Sequence, residues 1–224
     1  MVLEKLRIFG NPNVGVYVFT NNRITIVPEG IHEEAKKTLK NVLGTDLIEV
    51  RIADSTLIGV LVAGNDRTVL LPKIVRDEEL DKLRSAGVPV KVIQTTFTAL
   101  GNVVLANNRF ALLHPEVSDV EADLVRSELG VSSIRRGVVA RVLTVGSVGV
   151  LNDYSGVFHP DSNDEELKSL EEFFGVRVGT ATVNFGVGFV KVGLIMNNNG
   201  AVVGELTTGP EIMRLMEILN FAGS

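Results

Sequence analysis

GNVVLANNRFALLHPEVSDVEADLVRSELG, residues Gly101 to Gly130, contains every type of element from which the remainder of the chain is built. Its first half predicts a β-hairpin, because the apolar runs 103–106 and 110–113 are separated by Asn107-Asn108, and asparagine tolerates the positive φ of a tight turn. The second run ends at His114-Pro115, since proline has no N–H to donate to a sheet ladder. The stretch therefore begins with two paired strands.

A helix is predicted in the second half of the same stretch. Ser118 is a suitable N-cap, and Glu121 follows three residues later, which is the spacing of a capping box. Gly130 is the residue type that ends helices in the left-handed conformation. Residues 131–135 then return to an extended pattern. The complete unit is a hairpin, a helix and a further strand.

The same markers recur along the chain with one period, which is the signature of internal repeats. Strand-ending prolines lie 44, 43 and 45 residues apart, at Pro28, Pro72, Pro115 and Pro160. Helix-ending glycines lie 43, 43 and 45 residues apart, at Gly44, Gly87, Gly130 and Gly175. Hairpin turns are predicted at Asn21-Asn22, Asn65-Asp66, Asn107-Asn108, Asn152-Asp153 and 197–200. Three independent markers thus predict five repeats of about 44 residues.

The two ends of the chain complement each other. Residues 3–9 form a strand pattern before the first complete repeat. The fifth repeat has a hairpin at 190–196 and 201–203 and a helix from Thr208 to Asn220, but no final strand. We therefore predict that strand 3–9 completes the fifth repeat and closes the units into a ring without an open sheet edge.

The predicted fold class is α/β, a closed and propeller-like fivefold pseudosymmetric ring of ββαβ repeats with the helices outside. The helices are amphipathic, as Leu167, Leu170 and Phe174 show on one face of the fourth helix, whereas strands such as 110–113 are continuously apolar. Residues 1–224 are expected to form a single domain. Its repeats are predicted at 11–53, 54–95, 96–141, 142–182 and 183–224, the last closed by strand 3–9.

The composition excludes several classes of function. The absence of cysteine removes disulfides, thiolate metal ligands and thiol nucleophiles, and 3 histidines leave little for a transition metal. A net charge of −5 argues against DNA binding, because phosphate neutralisation requires a concentrated basic surface. The sequence shows neither a membrane-spanning run nor a signal-peptide pattern. We expect a monomeric, cytoplasmic protein without metal or cofactor that binds other proteins.

Two groups of residues are weighed as sites. His114 and His159 both precede proline at the same repeat position, which suggests paired metal ligands or acid/base groups. We favour structural roles for both, because equivalent positions stand apart around a ring. Arg135, Arg136 and Arg141 form a local basic patch, which is either a solvated edge or a contact for an anionic partner.

Each repeat opens with a small loop that ends in glycine, and these loops are expected to share one face of the ring. They are Asn13-Val14-Gly15, Leu57-Ile58-Gly59, Ala99-Leu100-Gly101-Asn102, Thr144-Val145-Gly146 and Val190-Lys191-Val192-Gly193. With Leu71-Pro72, residues 77–80, His114-Pro115, Asn184 and the TTGPE motif at 207–211, the pattern resembles the translation initiation factor 6 family in its archaeal form. The resemblance covers essentially all 224 residues.

This resemblance implies a pentein fold and a non-enzymatic factor that binds the large ribosomal subunit, prevents its association with the small subunit and takes part in large-subunit biogenesis. It also implies that the glycine-loop face contacts ribosomal proteins near the sarcin–ricin loop, while contact of the arginine patch with rRNA stays open. The candidate contact residues are Gly15, Gly59, Gly101, Asn102, Gly146, Asn184, Val190 and Gly193. Close backbone approach is the alternative role for the glycines, and capping is the alternative role for Asn102.

The chain departs from the family pattern in the fifth repeat. Phe185 stands where the family has arginine or lysine, Lys191 aligns with a glycine, and Leu206 aligns with an aspartate. The alternative function is that of a guanidine-modifying hydrolase, since such enzymes share the pentein fold. Those enzymes use a cysteine nucleophile, which this chain lacks. A ring-shaped DNA clamp would require a basic channel, which the charge does not supply.

Overall fold

The computed structural model describes residues 2–219 as a mixed α/β fold. Within that range the strands form five three-stranded sheets, and each sheet combines an antiparallel hairpin with a third, parallel strand. Short helices from all repeats contact one another in a closed circle around a central axis. The fivefold α/β ring predicted from the sequence is confirmed.

Four of the sheets take their strands from one continuous stretch of chain each. They are β2 (Phe19–Thr20), β3 (Ile24–Val27) and β4 (Asp46–Glu49); β5 (Ala63–Gly64), β6 (Val69–Pro72) and β7 (Val90–Ile93); β8 (Val104–Ala106), β9 (Phe110–Leu113) and β10 (Ser133–Arg136); and β11 (Gly149–Leu151), β12 (Ser155–Phe158) and β13 (Arg177–Thr180). As predicted, the prolines mark the ends of the second strands: Pro72 is the last residue of β6, Pro28 follows β3 directly, and Pro115 and Pro160 lie two residues beyond β9 and β12.

The fifth sheet closes the ring with a strand from the start of the chain. It contains β14 (Leu194–Met196), β15 (Gly200–Gly204) and β1 (Val2–Leu6), and β1 runs parallel to β15 with Val2 opposite Gly200. The closing strand is shorter than the predicted 3–9, because Phe9 adopts a left-handed φ of 53° in a turn. The predicted closure itself is present.

The hairpin turns form differently from the prediction. Neither Asn107 nor Asn108 has a positive φ, so the expected left-handed turn is wrong. Instead, the Asn107 side-chain oxygen accepts hydrogen bonds from the backbone N–H groups of Arg109 and Phe110, both at 2.9 Å. The side chain replaces the backbone acceptor of a tight turn, which is the usual local action of asparagine in loops.

Five long helices follow the hairpins within residues 2–219. They are α2 (Glu33–Leu43), α4 (Asp77–Ser85), α6 (Asp119–Leu129), α8 (Asp164–Phe174) and α10 (Gly209–Leu219). The predicted capping box of α6 is present, since Ser118 Oγ accepts from Glu121 N–H and Glu121 accepts from Ser118 N–H. Gly130 ends α6 with a φ of 61°. The predicted helix end at Asn220, like the rest of 220–224, lies outside the described residues.

The hydrophobic core lies between neighbouring sheets of the ring. Val125 and Leu129 of α6 pack not only on their own sheet but also against Leu70 and Ile93 of the preceding one. The other long helices repeat this arrangement, and α2 does so against the fifth sheet. Burial of each such side chain stabilises the fold by about 2 kcal/mol. None of the long helices lines the central cavity, so they lie outside, as predicted.

The glycine loops are one-turn helices rather than loops. They are α1 (Val14–Tyr17), α3 (Ile58–Leu61), α5 (Leu100–Val103), α7 (Val145–Val148) and α9 (Val190–Gly193). Two predicted strand segments are corrected as a result, because Val103 ends α5 and residues 190–193 form α9. Apolar runs this short fit either state, and here packing around the axis selects the helix.

Candidate functional site

The one-turn helices surround the central axis at one end of the ring, which we call the junction end. Gly15, Gly59, Gly101 and Gly146 each occupy the second position of their helix. A Cβ at Gly59 would overlap the carbonyl oxygen of Gly15, and the same relation joins Gly101 to Gly59 and Gly146 to Gly101. The glycines are therefore required by close backbone approach between neighbouring helices.

The fifth short helix departs from this pattern. Lys191 holds the second position of α9, and its carbonyl oxygen lies where a Cβ of Gly15 would be. Lys191 rather than Gly193 is therefore the structural equivalent of the four glycines. Gly193 ends α9, where a Cβ would be 2.6 Å from the Asn184 amide nitrogen and 2.8 Å from Val183. Grouping Gly193 with the other loop glycines is thus corrected, because α9 begins at Val190.

Seven of the eight candidate contact residues are buried, and Asn102 is half-buried. The buried residues are Gly15, Gly59, Gly101, Gly146, Asn184, Val190 and Gly193. Their burial gives them a role in packing the junction end. The side chain of Asn102 has no hydrogen-bond partner among residues 2–219, so it does not act as a cap there. Direct contact with a partner stays a prediction, and Asn102 is its accessible member.

Asn184 joins the fifth repeat to the first. Its side-chain Nδ2 donates to the carbonyl oxygen of Pro12 at 2.9 Å and to Asn13 Oδ1 at 3.2 Å. Its backbone N–H donates to Thr207 Oγ1 at 3.1 Å, while its own φ is 48°. Replacing this amide would leave buried polar groups of both repeats without partners. Asn184 therefore seals the ring at the junction end, beside β1.

Backbone strain is concentrated at the same end. In residues 2–219 the non-glycine residues with positive φ are Phe9, Ala53, Asp54, Ala140, Arg141, Asn184 and Phe185. All lie in tight turns that connect one repeat to the short helix of the next, which we call the junction turns. Left-handed alanine and phenylalanine are rare, and such strain persists only where the surrounding structure holds it. The sequence contains no residue signal for it.

Glutamates at the third position of the long helices hold these turns. Glu79 accepts hydrogen bonds from the backbone N–H groups of Ala53 and Asp54 at 2.7 and 2.8 Å. Glu166 accepts from the backbone N–H of Ala140 at 2.9 Å. A carboxylate that accepts backbone N–H groups forms stronger bonds than a neutral acceptor. Each glutamate thus fixes the entry to its own repeat as well as the start of its helix.

Glu211 forms the most extensive of these contacts. Its carboxylate accepts from the backbone N–H groups of Phe185, Gly186 and Thr208 at 3.2, 2.8 and 2.7 Å, and from Thr182 Oγ1 at 2.8 Å. Burial alone would raise the pKa of this carboxyl, but the backbone and hydroxyl hydrogen bonds outweigh burial and lower the pKa to about 2. The carboxylate is therefore charged throughout the ordinary pH range.

The first repeat has no such carboxylate. Ala35 occupies the third position of α2, where the later helices have glutamate. The turn at Phe9 and Gly10 is instead stabilised by an edge-to-face contact between the rings of Phe9 and Tyr17, with centroids 5.6 Å apart. The junction turns on either side of the ring closure are thus supported by different chemistry.

Exposed apolar side chains occur around the junction end, and the two most exposed of them adjoin the ring closure. Phe185 is 83% exposed and Leu206 is 58% exposed, and they lie in loops that the bond between Asn184 and Thr207 joins. Phe9, on the adjoining turn, is 44% exposed. Further exposed apolar residues of the same end are Leu57, Leu143 and Phe189. Clustered exposure of this kind marks an interaction surface, whereas scattered single residues do not.

The opposite end of the axis, which we call the hairpin end, is closed by a ring of side chains. In each of the five hairpins the second turn residue donates its backbone N–H to the side-chain oxygen of the equivalent residue in the neighbouring repeat. The members are Asn22, Asp66, Asn108, Asp153 and Asn198, which we call the axial ring. Its donors and acceptors satisfy one another, which leaves little for a partner to bind.

Comparison with known proteins decides the family. The eIF-6 family model matches residues 3–218. The chain belongs to the eIF-6 family. It is 45% identical over 221 residues to translation initiation factor 6 of Saccharolobus islandicus, covering 98% of this chain and 99% of the relative. It is 42% identical to the Staphylothermus marinus factor, over 96% of both chains, and 37% identical to the Pyrococcus horikoshii factor, over 99% of this chain and 100% of the relative.

A likeness to a solved structure is much weaker. Agmatine deiminase of C. jejuni aligns with 56% of this chain and 50% of its own length, at a TM-score of 0.39 and 12% identity. That degree of likeness does not bear on the fold or the function of this member of the eIF-6 family.

The two histidines before proline have local structural roles. His114 is buried against Phe97, with ring centroids 5.0 Å apart, and its Nδ1 accepts from the backbone N–H of Glu116. His159 Nδ1 accepts from the backbone N–H of Asp161 in the same way. Both rings thus cap the turn that follows the strand. Within residues 2–219 no cluster of three or more potential metal ligands occurs, and no helix there could span a membrane.

The three arginines of the predicted basic patch make different contacts. Arg135 lies over the Phe173 ring at 4.3 Å, which is a cation–π distance. Arg136 donates to the carbonyl oxygen of Val117 at 2.8 Å and pairs with Asp119. Arg141 is exposed in a junction turn and has no ion pair among residues 2–219. Of the three cations, Arg141 is the one whose guanidinium is available to a partner.

Proposed function

We propose that this eIF-6 family member is a cytoplasmic translation initiation factor that binds the large ribosomal subunit through its junction end and thereby blocks the small subunit. The observation that carries the assignment is the family match over 3–218 together with relatives named translation initiation factor 6. A role in large-subunit biogenesis follows from the same binding. The partners proposed are ribosomal proteins near the sarcin–ricin loop.

We place the interface at the junction end because the two ends of the ring differ in the polar groups and apolar side chains that they leave free for a partner. The axial ring uses its polar groups internally, so the hairpin end offers little to a protein surface. The junction end exposes the side chains of Phe9, Phe185 and Leu206 in turns of the first and the fifth repeat. Exposed aromatic residues are common anchors of protein interfaces. A stable contact needs roughly 800 Å² on each partner, which fits one face of a ring of this size.

The proposed action is steric and requires no chemical step. The subunit would hold one face of the ring, and the body of the ring would then occupy the space into which the small subunit docks. A guanidine-modifying activity of the cysteine-dependent type is excluded, because the sequence contains no cysteine. Incubation with arginine and methylated arginine should therefore yield no product above the level of a buffer control.

Cosedimentation with purified large subunits tests the location of the interface. Phe185→Asn removes the most exposed aromatic ring and places at φ 66° a residue that tolerates this conformation. We expect it to weaken binding at least about tenfold, as loss of an interface anchor does. The matched control is Tyr154→Asn, since Tyr154 is 56% exposed in a turn of the hairpin end. This control should bind as tightly as the wild type.

A second variant tests the candidate contact residue that the structure leaves accessible. Asn102→Phe places a bulky ring on α5 at the junction end, and we expect weaker subunit binding with a circular dichroism spectrum like that of the wild type. Small subunits are then added, and joined particles are scored by sedimentation. If the wild-type protein does not cosediment with large subunits, the proposed function is wrong. If both junction-end variants bind as tightly as the wild type, only the proposed location of the interface is wrong.

Among the three arginines of the predicted basic patch, Arg141 is the one that we propose for a contact with rRNA. Its guanidinium is exposed, while Arg135 and Arg136 are engaged within the protein. Loss of one contact between a basic side chain and a phosphate lowers the magnitude of the slope of log affinity against log salt by about 1. Arg141→Gln should lower the salt dependence of binding to the large subunit by this amount, and Arg135→Gln should leave it unchanged. An unchanged slope for Arg141→Gln would limit the interface to protein contacts.

A further inference from the structure

The outward surface of α10 differs from that of the other long helices. Met213 and Met216 lie at its fifth and eighth positions, and 68% and 41% of their surfaces are exposed. Pro210, three residues before Met213, is exposed as well. Residues three apart are neighbours on the surface of a helix, so these side chains follow one another along α10. We call Pro210, Met213 and Met216 the α10 stripe.

The other repeats serve as an internal reference for the α10 stripe. At the fifth and eighth positions of the other four long helices, all eight residues are charged and exposed. They are Lys37 and Lys40 of α2, Asp81 and Arg84 of α4, Asp123 and Arg126 of α6, and Lys168 and Glu171 of α8. Polar residues are the usual choice on the side of a helix that faces water. The packing of the ring therefore does not account for methionine at these two positions of α10.

The α10 stripe begins beside the proposed interface. Glu211, in the first turn of α10, accepts hydrogen bonds from the backbone N–H groups of Phe185 and Gly186 at 3.2 and 2.8 Å. Pro210 directly precedes Glu211, and Leu206, which is 58% exposed, lies in the segment that leads into α10. From Pro210 the stripe continues for about 9 Å along the helix. It therefore extends from the junction turn of Phe185 onto the outer surface of the ring.

The charges of α10 are compensated within the protein. Arg214 is the one cation of residues 209–219; its Nη1 pairs with Glu217 at 3.0 Å, and its Nε donates to the carbonyl oxygen of Thr180 at 3.0 Å. Nucleic acid binding depends on cations that neutralise phosphates, and Arg214 is already engaged. The flexible thioether of methionine instead adapts to apolar partners of irregular shape. The chemistry of the α10 stripe thus fits a protein surface rather than rRNA.

We infer that the α10 stripe is a second part of the large-subunit interface and contacts an apolar patch of a ribosomal protein. This inference rests on the proposed function, since the partner is the one that binds the junction end. Methionine is enriched at protein interfaces, and neighbouring exposed apolar residues bordered by polar ones mark such surfaces. Contact at the junction end alone leaves rotation about the central axis to be fixed. A lateral contact on α10 fixes that rotation.

Oxidation by hydrogen peroxide reports whether the α10 stripe is covered. Peroxide transfers one oxygen atom to the thioether sulfur, which becomes a sulfoxide, and water is released. Met213 should oxidise readily in the free protein and several times more slowly in protein bound to large subunits. Met196, which is 4% exposed, should react slowly in both states and is the internal control. Trypsin cleaves after Arg214, so mass spectrometry assigns Met213 and Met216 to different peptides.

The outcomes separate this inference from the proposed function. Protection of Met213 in the bound protein would support the inference. Equal oxidation of Met213 in bound and free protein would overturn it and leave the proposed function intact. Slow oxidation in the free protein would also overturn it, because the chain itself or a second copy would then cover the stripe. If the wild type does not bind large subunits, the inference fails together with the proposed function.

A double variant tests the energetic contribution of the stripe. Met213→Lys combined with Met216→Glu copies the residues of α8 at these positions, Lys168 and Glu171, and leaves the net charge unchanged. We expect this variant to bind large subunits about tenfold more weakly, as loss of interface anchors does, with an unchanged urea midpoint. The matched control is Val120→Gln, since Val120 is 80% exposed on α6 in the third repeat. This control should bind as tightly as the wild type.

Two results with these variants would contradict the inference. A folded double variant that binds as tightly as the wild type, while Phe185→Asn binds weakly, would restrict the interface to the junction end. Equal weakening by Val120→Gln would show that the effect is not specific to the α10 stripe. Circular dichroism verifies the fold of each variant, and the oxidation experiment on the wild type requires no substitution.

Discussion

The two ends of the central axis are closed by different means. At the hairpin end, all five repeats contribute the same kind of residue to the same hydrogen-bonded ring. At the junction end, Lys191 replaces a glycine, Ala35 replaces a glutamate, and the turn at Phe185 contains an additional glycine, Gly186. The repeats are therefore nearly equivalent at one end of the ring and different at the other.

This contrast separates stability from recognition. A symmetric surface offers the same contacts five times and cannot fix the orientation of a single, asymmetric partner. The junction end is asymmetric: these three departures lie in the first or the fifth repeat, beside the ring closure, and the junction before α5 lacks the left-handed turn of the other four. Phe9, Phe185 and Leu206 are exposed in the same place. The difference between the ends therefore indicates which one is specialised for a partner.

Removal of residues 2–9 should have the largest effect, because it opens the ring that both ends share. It eliminates the parallel pairing of β1 with β15 and the burial of Ile8, which is 1% exposed. Loss of three apolar side chains, Leu3, Leu6 and Ile8, costs more than about 5 kcal/mol. We expect a protein that unfolds at a much lower urea concentration and self-associates through its open edge.

A synthetic peptide with the sequence of residues 1–10 provides the control for this truncation. Added in excess, it should restore most of the lost stability, whereas a scrambled peptide should not. A truncated protein that remains monomeric and unfolds at the wild-type urea midpoint would show that the ring does not depend on β1.

Glu211→Gln tests the junction end alone. The amide would direct its NH₂ group toward N–H donors that now contact a carboxylate, so we expect a loss of about 2–3 kcal/mol at pH 7. The pKa of Glu211 is lowered from 4.5 to about 2, so its contribution is complete above pH 4.5 and is lost as the pH falls toward 2. The stability of the variant should therefore lack this part of the acid dependence.

The control is Glu217→Gln on the same helix. The Glu217 side chain is 64% exposed and, among residues 2–219, pairs only with Arg214, so the substitution should change stability by less than about 1 kcal/mol. Urea unfolding between pH 2.5 and 7 measures both variants. If Glu211→Gln and the wild type lost stability in parallel on acidification, the carboxylate would not be what holds this junction turn.

Asp153→Asn tests the hairpin end and should have a smaller effect. Asp153 accepts from three side-chain amides, and an asparagine there would present an N–H₂ group to at least one other donor. We expect a loss of about 1–2 kcal/mol in urea unfolding, with unchanged binding to large subunits. Asp161→Asn, whose carboxylate is exposed outside the axial ring, is the control. Impaired subunit binding by a folded Asp153→Asn would contradict the division between the two ends.

Phe185→Asn should have the smallest effect on stability, and that effect is expected to be favourable. Phe185 is 83% exposed, so little packing is lost, while asparagine relieves part of a left-handed strain of about 1–2 kcal/mol. We expect stability to rise by up to about 1 kcal/mol while subunit binding falls. Phe185→Leu is the control that retains both the apolar surface and the strain. A loss of stability in Phe185→Asn would mean that the aromatic ring of Phe185 packs against other residues of the protein.

Much of the fold was predictable because its boundaries are set by residues with local conformational effects. Pro115 ends a strand, Ser118 with Glu121 begins a helix, and Gly130 ends it, and none of these effects requires knowledge of the tertiary structure. The closing strand was predictable because a missing strand at one end of the chain matched an additional strand at the other.

The remaining features depend on contacts between repeats. Residues 190–193 form a helix because of packing around the axis, although the local pattern fits a strand equally well. Ala53 and Ala140 adopt left-handed conformations that neither residue favours, and Glu79 and Glu166 hold them from another part of the chain. One signal was available, since an Asn or Asp pair recurs in all five hairpins. That recurrence indicates a shared structural role for the axial ring.

The pairing of β1 with β15 has a consequence for the order in which the chain folds. Val2 pairs with Gly200, so the first strand has no partner until nearly the whole chain has been synthesised. At typical rates of translation, β1 waits roughly 10–40 s with an exposed edge. Each interior repeat can form its hairpin and helix as it emerges, but cooperative closure is possible only at the end. Moving residues 1–10 behind residue 224 would place β1 next to its own sheet in the chain and remove that delay.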